Sequence, residues 1–190
     1  MLRSTARAVL SLLVAATAVP ALWATTAVER TESDMVQESA LIVTGHCAHL
    51  RSQWVGRTLV TLATIQVTEA LKGDPGTTVT VVLPGGVDSN RKIPVAMSYP
   101  AAPQIYQQED VLLFLVPEDL VPGGYSIAGF SQGKFTLAEN AQGKRVATQD
   151  LSALNLQGRG GSLRRGSAKT IQLDELRQRI RQAPAAGRER

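Results

Sequence analysis

The longest strand pattern in this sequence is RTLVTLATIQVTEALKG, residues 57–73. Every second residue from Ala63 to Val67 is apolar, which is the two-residue period of a half-buried strand. Val60 and Leu62 lie on the opposite parity, so the strand must be bulged, sharply coiled or covered on both faces. The Gly-Asp-Pro-Gly sequence that follows should end the strand, because it favours a turn and its proline cannot donate a hydrogen bond to a neighbouring strand. Long strands of this kind are typical of small closed barrels, where they serve two sheets.

Shorter strand patterns surround this one. The predicted strands are residues 39–50, 77–83, 110–116, 125–130 and 134–138, with a possible further strand at 144–148. We expect residues 51–56 to form the hairpin loop before the long strand. Gly45 lies within the first strand, which indicates a bend or a close backbone approach. Six or seven short strands with one C-terminal helix predict a mainly β protein, a Greek-key barrel of the OB type.

Residues 87–108 contain no clear element. Pro94, Pro100 and Pro103 interrupt them repeatedly. A loop of this length in a small domain is often a functional excursion, so we expect a binding surface here.

The N-terminus has the pattern of a secretory signal peptide, predicted over residues 1–27. Arg3 and Arg7 precede an apolar segment of about 16 residues, and small residues follow it. Cleavage is expected after Ala27, with Ala24 as the alternative. We then expect a linker at 28–38 and the β-barrel domain at 39–150. The apolar segment is short for a membrane span, so no stable span is expected after cleavage.

The only cysteine is Cys47, so no intrachain disulfide can form. Export without disulfides suits a bacterial periplasm or cell surface.

The C-terminal part begins with a Gly-, Ser- and Arg-rich segment, residues 151–170, predicted to be a flexible linker. Residues 171–183 predict a helix, because Leu173, Leu176 and Ile180 form a single apolar stripe. Residues 184–190 are a tail. Such a stripe either docks on the parent domain or binds a partner protein.

Charge is divided unevenly along the chain. Residues 28–143 hold 7 Lys and Arg against 12 Asp and Glu, whereas residues 144–190 hold 11 against 4. A basic C-terminal part can bind nucleic acid, anionic lipid or an acidic partner, or can simply maintain solubility. The acidic body, the 4% aromatic content and the predicted export argue against nucleic acid.

The only cluster with soft or imidazole ligands is Gly-His-Cys-Ala-His at residues 45–49. On a regular strand, Cys47 and His49 project to one face and His46 to the other. That would make half of a zinc or copper site, which a carboxylate such as Glu69 or Asp110 would have to complete. The alternative is a small buried cysteine with two histidines near a strand end.

No catalytic signature is present, so no enzyme activity and no cofactor are expected. The sequence lacks a G-x-S-x-G elbow and a phosphate-binding P-loop. A Ser-His-Asp site would have to use His46 or His49. Carboxylate pairs begin at Glu109 and at Glu118, on either side of a buried strand, where acidic residues ordinarily lie in solvent.

Three segments carry a family resemblance: SALIVTGHCAHL, TIQVTEALKG, and QEDVLLFLVP with the GFSQGKF that follows it. In these segments the chain resembles a group of uncharacterised exported bacterial proteins and, more distantly, the netrin-like fold of tissue inhibitors of metalloproteinases. The resemblance covers residues 39–137 and implies an OB-type barrel. Those inhibitors chelate the protease zinc through an N-terminal cysteine. A mature chain beginning at Thr25 or Val28 has none, so no functional residue is carried over.

Together these features predict an exported protein-interaction module. Its surfaces would be residues 87–108 and the basic C-terminal part with its helix, and its partner a secreted protease or another exported protein. The alternative is a periplasmic metal-binding protein that uses Cys47 and His49.

Overall fold

The structure, a computed structural model, describes residues 25–183 and is mainly β. The strands are β1 (Thr25–Val28), β2 (Leu41–Val55), β3 (Thr58–Lys72), β4 (Thr78–Pro84), β5 (Gly86–Asp88), β6 (Val95–Met97), β7 (Asp110–Glu118), β8 (Gly124–Ile127), β9 (Lys134–Glu139), β10 (Arg145–Asp150), β11 (Leu154–Gln157), β12 (Leu163–Arg165) and β13 (Ala168–Gln172). The helices are α1 (Glu32–Glu38) and α2 (Leu173–Gln182). The mainly β class and the C-terminal helix are confirmed.

Five strands close into a ring, in the order β2-β3-β4-β8-β7. β7 pairs with β2 on one side and β8 on the other, and β8 runs parallel to β4. The ring encloses a core of aliphatic residues: Leu41, Val43, Cys47, Ala63, Ile65, Val79, Val81, Leu83, Ile105, Val111, Leu113, Leu115 and Ile127. The predicted small barrel is therefore present. The predicted strand number was too low, because the described residues form thirteen strands.

The long strand β3 is covered on both faces. Ala63 and Ile65 point into the barrel core, whereas Val60 and Leu62 pack against Val82 in a separate cluster outside it. Apolar residues therefore occur at odd and at even positions of β3 because each face of the strand packs against its own cluster. Coverage on both faces accounts for the parity change, and β3 is also bulged against β2, at Thr68 and Leu71, beyond the point where the parity changes.

Strand β2 is longer than the sequence predicted. It continues to Val55 and pairs with β3 up to Thr58, so the expected loop at 51–56 shrinks to a two-residue turn that begins with Gly56. Gly45 confirms the predicted close approach, because a Cβ there would clash with the carbonyl oxygen of Gln66.

A second core lies outside the barrel. β9, β10 and β13 extend the sheet beyond β7, and both helices cover this extension. The residues that meet there are Met35, Val36, Ile42, Leu112, Phe114, Ala128, Phe135, Leu137, Ala147, Leu173, Leu176 and Ile180. The stripe of α2 thus docks on its own domain. Because it is already buried, it is not the partner-binding face that the sequence left open.

Both expected linkers contain regular structure. Residues 28–38 include α1, which starts with a capping box: Asp34 N donates to Thr31 Oγ1 at 3.1 Å, and Thr31 N donates to Asp34 Oδ2 at 3.0 Å. Residues 151–170 include β11 and β12 and the start of β13. A buried cluster of Leu151, Leu154 and Leu156 holds β11 in place, which the Gly- and Arg-rich composition concealed.

Strand β1 lies where the signal peptide was expected to end. Thr25–Val28 pairs in parallel with β11, so residues 25–27 belong to the fold. The rest of the predicted signal peptide, residues 1–24, and the tail at 184–190 lie outside the described residues. Between residues 25 and 183, neither helix has the length and apolar character that crossing a membrane requires.

Candidate functional site

The predicted excursion, residues 87–108, is an ordered part of the surface. Its first half is the hairpin β5–β6, which the sequence did not predict. Trp54 on β2 anchors this hairpin, because its Nε1 donates to Asp88 Oδ2 at 2.7 Å. Arg91 Nε donates to the same oxygen at 2.9 Å, and its guanidinium lies 5.0 Å from the centre of the Trp54 ring. The bond from Trp54 contributes most to a lowered pKa of Asp88, so this carboxylate stays charged.

The second half of the excursion is anchored in the barrel. Ile105 is 5% exposed and belongs to the barrel core. Gln108 N donates to Cys47 O, and Cys47 N donates to Glu109 O, both at 2.9 Å. The end of the excursion therefore pairs with β2 through backbone bonds that do not depend on side chains.

Glu109 is a third anchor. Its Oε1 accepts hydrogen bonds from Lys134 Nζ at 2.7 Å and Thr136 Oγ1 at 2.6 Å. Its Oε2 accepts from Tyr106 N at 2.8 Å. The side chains of Glu109 and Lys134 are mostly buried, and both oxygens of Glu109 accept hydrogen bonds. Such a pair fixes the geometry of the loop more than it adds net stability.

The anchored excursion presents apolar side chains to solvent. The seven large, exposed apolar residues among residues 25–183 include Val87, Ile93, Tyr99 and Tyr106, with exposures of 56%, 77%, 40% and 66%. Four of seven therefore come from this one excursion. Contiguous exposed apolar surface is characteristic of interaction sites, and this segment holds the largest share of the exposed apolar side chains among residues 25–183.

A cleft of about 470 Å³ runs along the base of the excursion. One wall comes from residues 101–104 and Tyr106, and the other from β9, β10 and the start of β11. Lys134, Thr136 and Thr148 supply polar groups to the lining, and Leu154 supplies an apolar one. The mixed lining suits a side chain or a short extended segment of a protein.

The structure separates the two predicted metal ligands. A register shift places the bulge at Ala48, because Cys47 pairs with Ile65 while His49 pairs with the adjacent Thr64. Cys47 therefore lies in the barrel core and His49 lies on the surface, so the expectation of a common face was wrong. Burial raises the pKa of the Cys47 thiol, which keeps it protonated. No group of three His, Cys, Asp or Glu residues with metal-binding spacing occurs within residues 25–183.

His46 lies instead beside a carboxylate. Its Nδ1 lies 2.9 Å from Asp110 Oδ1, and its Nε2 lies 2.8 Å from Gln108 Oε1. The other oxygen of Asp110 accepts from Arg145. In a hydrolytic triad a Ser or Cys would face Nε2, and here the Gln108 amide holds that position. Nothing in the sequence indicated that His46 on β2 would lie opposite Asp110 on β7.

The carboxylates around β7 do not converge. Glu109 is held by Lys134 and Thr136, as described above. Asp110 and Glu118 lie at opposite ends of β7, and eight residue steps along a strand cover about 27 Å. The two carboxyls of a glycosidase lie about 5 to 9.5 Å apart. These two residues therefore do not have the geometry of that chemistry.

The C-terminal arginines form ion pairs with acidic residues of the chain itself. The pairs are Arg159–Asp34, Arg164–Glu29, Arg179–Glu32, Arg177–Glu69 and Arg181–Glu69. The hydrogen bond between Arg164 and Glu29 lowers the pKa of Glu29 and raises that of Arg164. The unequal charge along the chain is thus largely compensated within the fold. These five arginines therefore hold the C-terminal part against the rest of the domain, and its role as a binding surface stays a prediction.

Sequence analysis located the excursion but missed the residues that position it. Trp54 fell in a segment predicted as a loop, where an isolated aromatic residue was the available signal. Ile105 lies in the segment Pro-Gln-Ile-Tyr-Gln, residues 103–107, which has no regular apolar period, so nothing marked it as buried. No protein-family model, curated protein or solved structure matches this chain.

Proposed function

We propose that this chain is an exported protein-interaction module, built on an OB-type barrel, whose contact surface is the excursion at residues 87–108. The observation that carries this proposal is the concentration of exposed apolar side chains on the excursion, together with the anchors beneath it. The five-stranded ring and its parallel β4–β8 pair support the OB assignment.

The anchors matter because a mobile loop loses conformational entropy when it becomes ordered against a partner. A loop held by Trp54, Ile105 and Glu109 loses little conformational entropy when a partner binds. Tyr99 and Tyr106 offer large rings with a hydroxyl at the end, the side-chain type most common among binding hot spots. The cleft beside Tyr106 would accept a side chain of the partner.

The partner would be another exported protein. The resemblance to netrin-like inhibitors makes a secreted protease the first class to test. A protease would have to be contacted through the excursion, because Cys47 is the only cysteine and lies in the barrel core, where it cannot take the role of the zinc-chelating cysteine of those inhibitors.

The test is affinity capture from the periplasm or medium of the producing cells, with residues 25–190 as bait. The test variant carries Ile93→Ser and Tyr106→Ser, and the matched control carries Leu120→Ser and Leu163→Ser, which are exposed apolar residues elsewhere. We expect one exported protein to be retained by the wild type and the control and lost by the test variant. Equal retention by both variants, or none by the wild type, would overturn the proposal.

A truncation that ends at Leu151 is not a suitable bait. It would remove β11, β12, β13 and α2 and would uncover the core beneath α2. Loss of binding by that chain would report unfolding and not the location of the contact.

A further inference from the structure

We propose that the cleft at the base of the excursion binds an arginine side chain of the partner protein. The partner would present this arginine on an exposed segment of its own surface. This inference deepens the proposed function and rests on it, because the cleft borders the same contact surface. The charges, the aromatic ring and the apolar walls that line the cleft carry the argument.

The alternation of strands β9 and β10 determines which side chains reach the cleft. Lys134 and Thr136 of β9 and Thr148 and Asp150 of β10 line it. Phe135, between the two β9 residues, belongs to the second core on the opposite face of the sheet. The cleft is therefore lined by the polar face of two strands whose other face is buried.

The lining of the cleft carries one more negative charge than positive charge. Its carboxylates are Glu109 and Asp150, and its only cationic group is Lys134. Lys134 forms its ion pair with Glu109, at 2.7 Å. Within residues 25–183, Asp150 has no ion-pair partner. A cation supplied by the partner would therefore balance the charge of the cleft.

Asp150 is held in place and stays charged. Ser152 N donates to Asp150 Oδ1 at 2.9 Å. The hydrogen bonds from Ser152 hold the pKa of Asp150 below its usual range, and the nearby charge of Lys134 has a smaller effect in the same direction. A carboxylate has about four acceptor sites, so the bonds from one serine leave sites for a further donor.

The other groups of the cleft favour arginine over lysine. Tyr106, on the wall that faces β10, is 66% exposed. A guanidinium stacks on aromatic rings and donates two parallel hydrogen bonds to a carboxylate, whereas an ammonium group is a point charge. Ala101, Ala102 and Leu154 supply apolar surface, along which the methylene stem of an arginine can lie.

Synthetic peptides test the charge preference directly. The probes are capped alanine pentapeptides with arginine or glutamate at the central position, added at millimolar concentration to isotope-labelled residues 25–190. Nuclear magnetic resonance follows the backbone amides. We expect the arginine peptide to shift the signals of Ser152 and Leu154, and the glutamate peptide to shift neither. Equal shifts by both peptides, or none by the arginine peptide, would overturn the inference.

A matched pair of variants tests the role of Asp150. Asp150→Asn keeps an acceptor for Ser152 N and removes only the charge. The control, Asp119→Asn, removes an equal charge from an exposed aspartate outside the cleft. We expect Asp150→Asn to weaken binding of the arginine peptide about tenfold and the control to leave it unchanged. Equal affinities of the two variants would contradict the role given to Asp150.

The capture experiment separates this inference from the proposed function. We expect Asp150→Asn to lose the exported partner that the wild type and Asp119→Asn retain. Retention of the partner by Asp150→Asn at the wild-type level would overturn the inference and leave the excursion as the contact surface. Retention of no protein by the wild type would overturn both, so the two failures are distinguishable.

Discussion

Shortening Leu176 to alanine is expected to destabilise the whole domain. Leu176 is 1% exposed and lies in the second core with Leu173 and Ile180. The substitution removes the contacts of the side chain and leaves a cavity between α2 and the sheet. Buried leucines shortened in this way cost about 2 to 5 kcal/mol, and full burial places this site near 3 kcal/mol.

The assay is equilibrium unfolding in urea, followed by tryptophan fluorescence and by circular dichroism. For a chain of this size, a loss of 3 kcal/mol corresponds to a fall in melting temperature of about 6 to 12 °C. The matched control is Gln178→Ala, a substitution on the exposed side of the same helix. It should change the free energy of unfolding by less than about 0.5 kcal/mol.

The result that would refute this reasoning is a Leu176→Ala variant as stable as the control. It would mean that α2 is not docked in solution, and its apolar stripe would again be open to a partner. A loss confined to the helical signal, with the barrel transition unchanged, would refute it as well. Either outcome would also permit a bait that lacks only α2 in the capture experiment.

Three further predictions concern single contacts. The hydrogen bond that His46 donates to Asp110 is the main cause of the raised pKa of His46, so the stabilisation from this pair is complete below about pH 6.5 and is lost as pH rises through the higher folded-state pKa. Urea unfolding at pH 5.5 and 8.5 should show a larger loss of stability for wild type than for His46→Gln, and equal losses would contradict this. The buried Cys47 thiol should react with a thiol reagent only as fast as the chain unfolds, and rapid labelling of the native protein would contradict its position in the barrel core. Trp54→Phe replaces the indole with a smaller aromatic ring that has no donor to Asp88, so it should cost about 1 to 2 kcal/mol and speed tryptic cleavage at Arg91. Unchanged cleavage would show that other contacts hold the hairpin.

The barrel was predictable because its strands are buried and their apolar residues are regular. The alternation in β3 and the continuous apolar run of β7 report the core directly. Two of the C-terminal strands outside the barrel were harder to predict because they are exposed. β12 is solvent-exposed at every position, and β13 nearly so, which leaves no periodicity to read.

Two misses have local physical causes. The bulge at Ala48 places Cys47 and His49 on opposite faces of β2. Nothing in the residue pattern of this segment indicates a bulge. Helix α1 has a signal in the sequence, because Thr-x-x-Asp begins at Thr31 and precedes two apolar residues. The charged composition of residues 28–38 indicated a linker instead. The excursion was located from its prolines, but its anchors depend on partners that are remote in sequence.

The pairing between the two ends of the chain determines when folding can finish. Gln132 lies 104 positions after Val28, and Arg164 lies 135 positions after Glu29. A chain that leaves the ribosome or a translocation channel N-terminus first would expose β1 long before β11 exists. Contacts at such separation are slow to form, because the entropy of closing the loop is lost before any pairing energy is gained. The barrel should therefore assemble first, and the newly made first strand should remain open to chaperones and proteases until the last strands emerge.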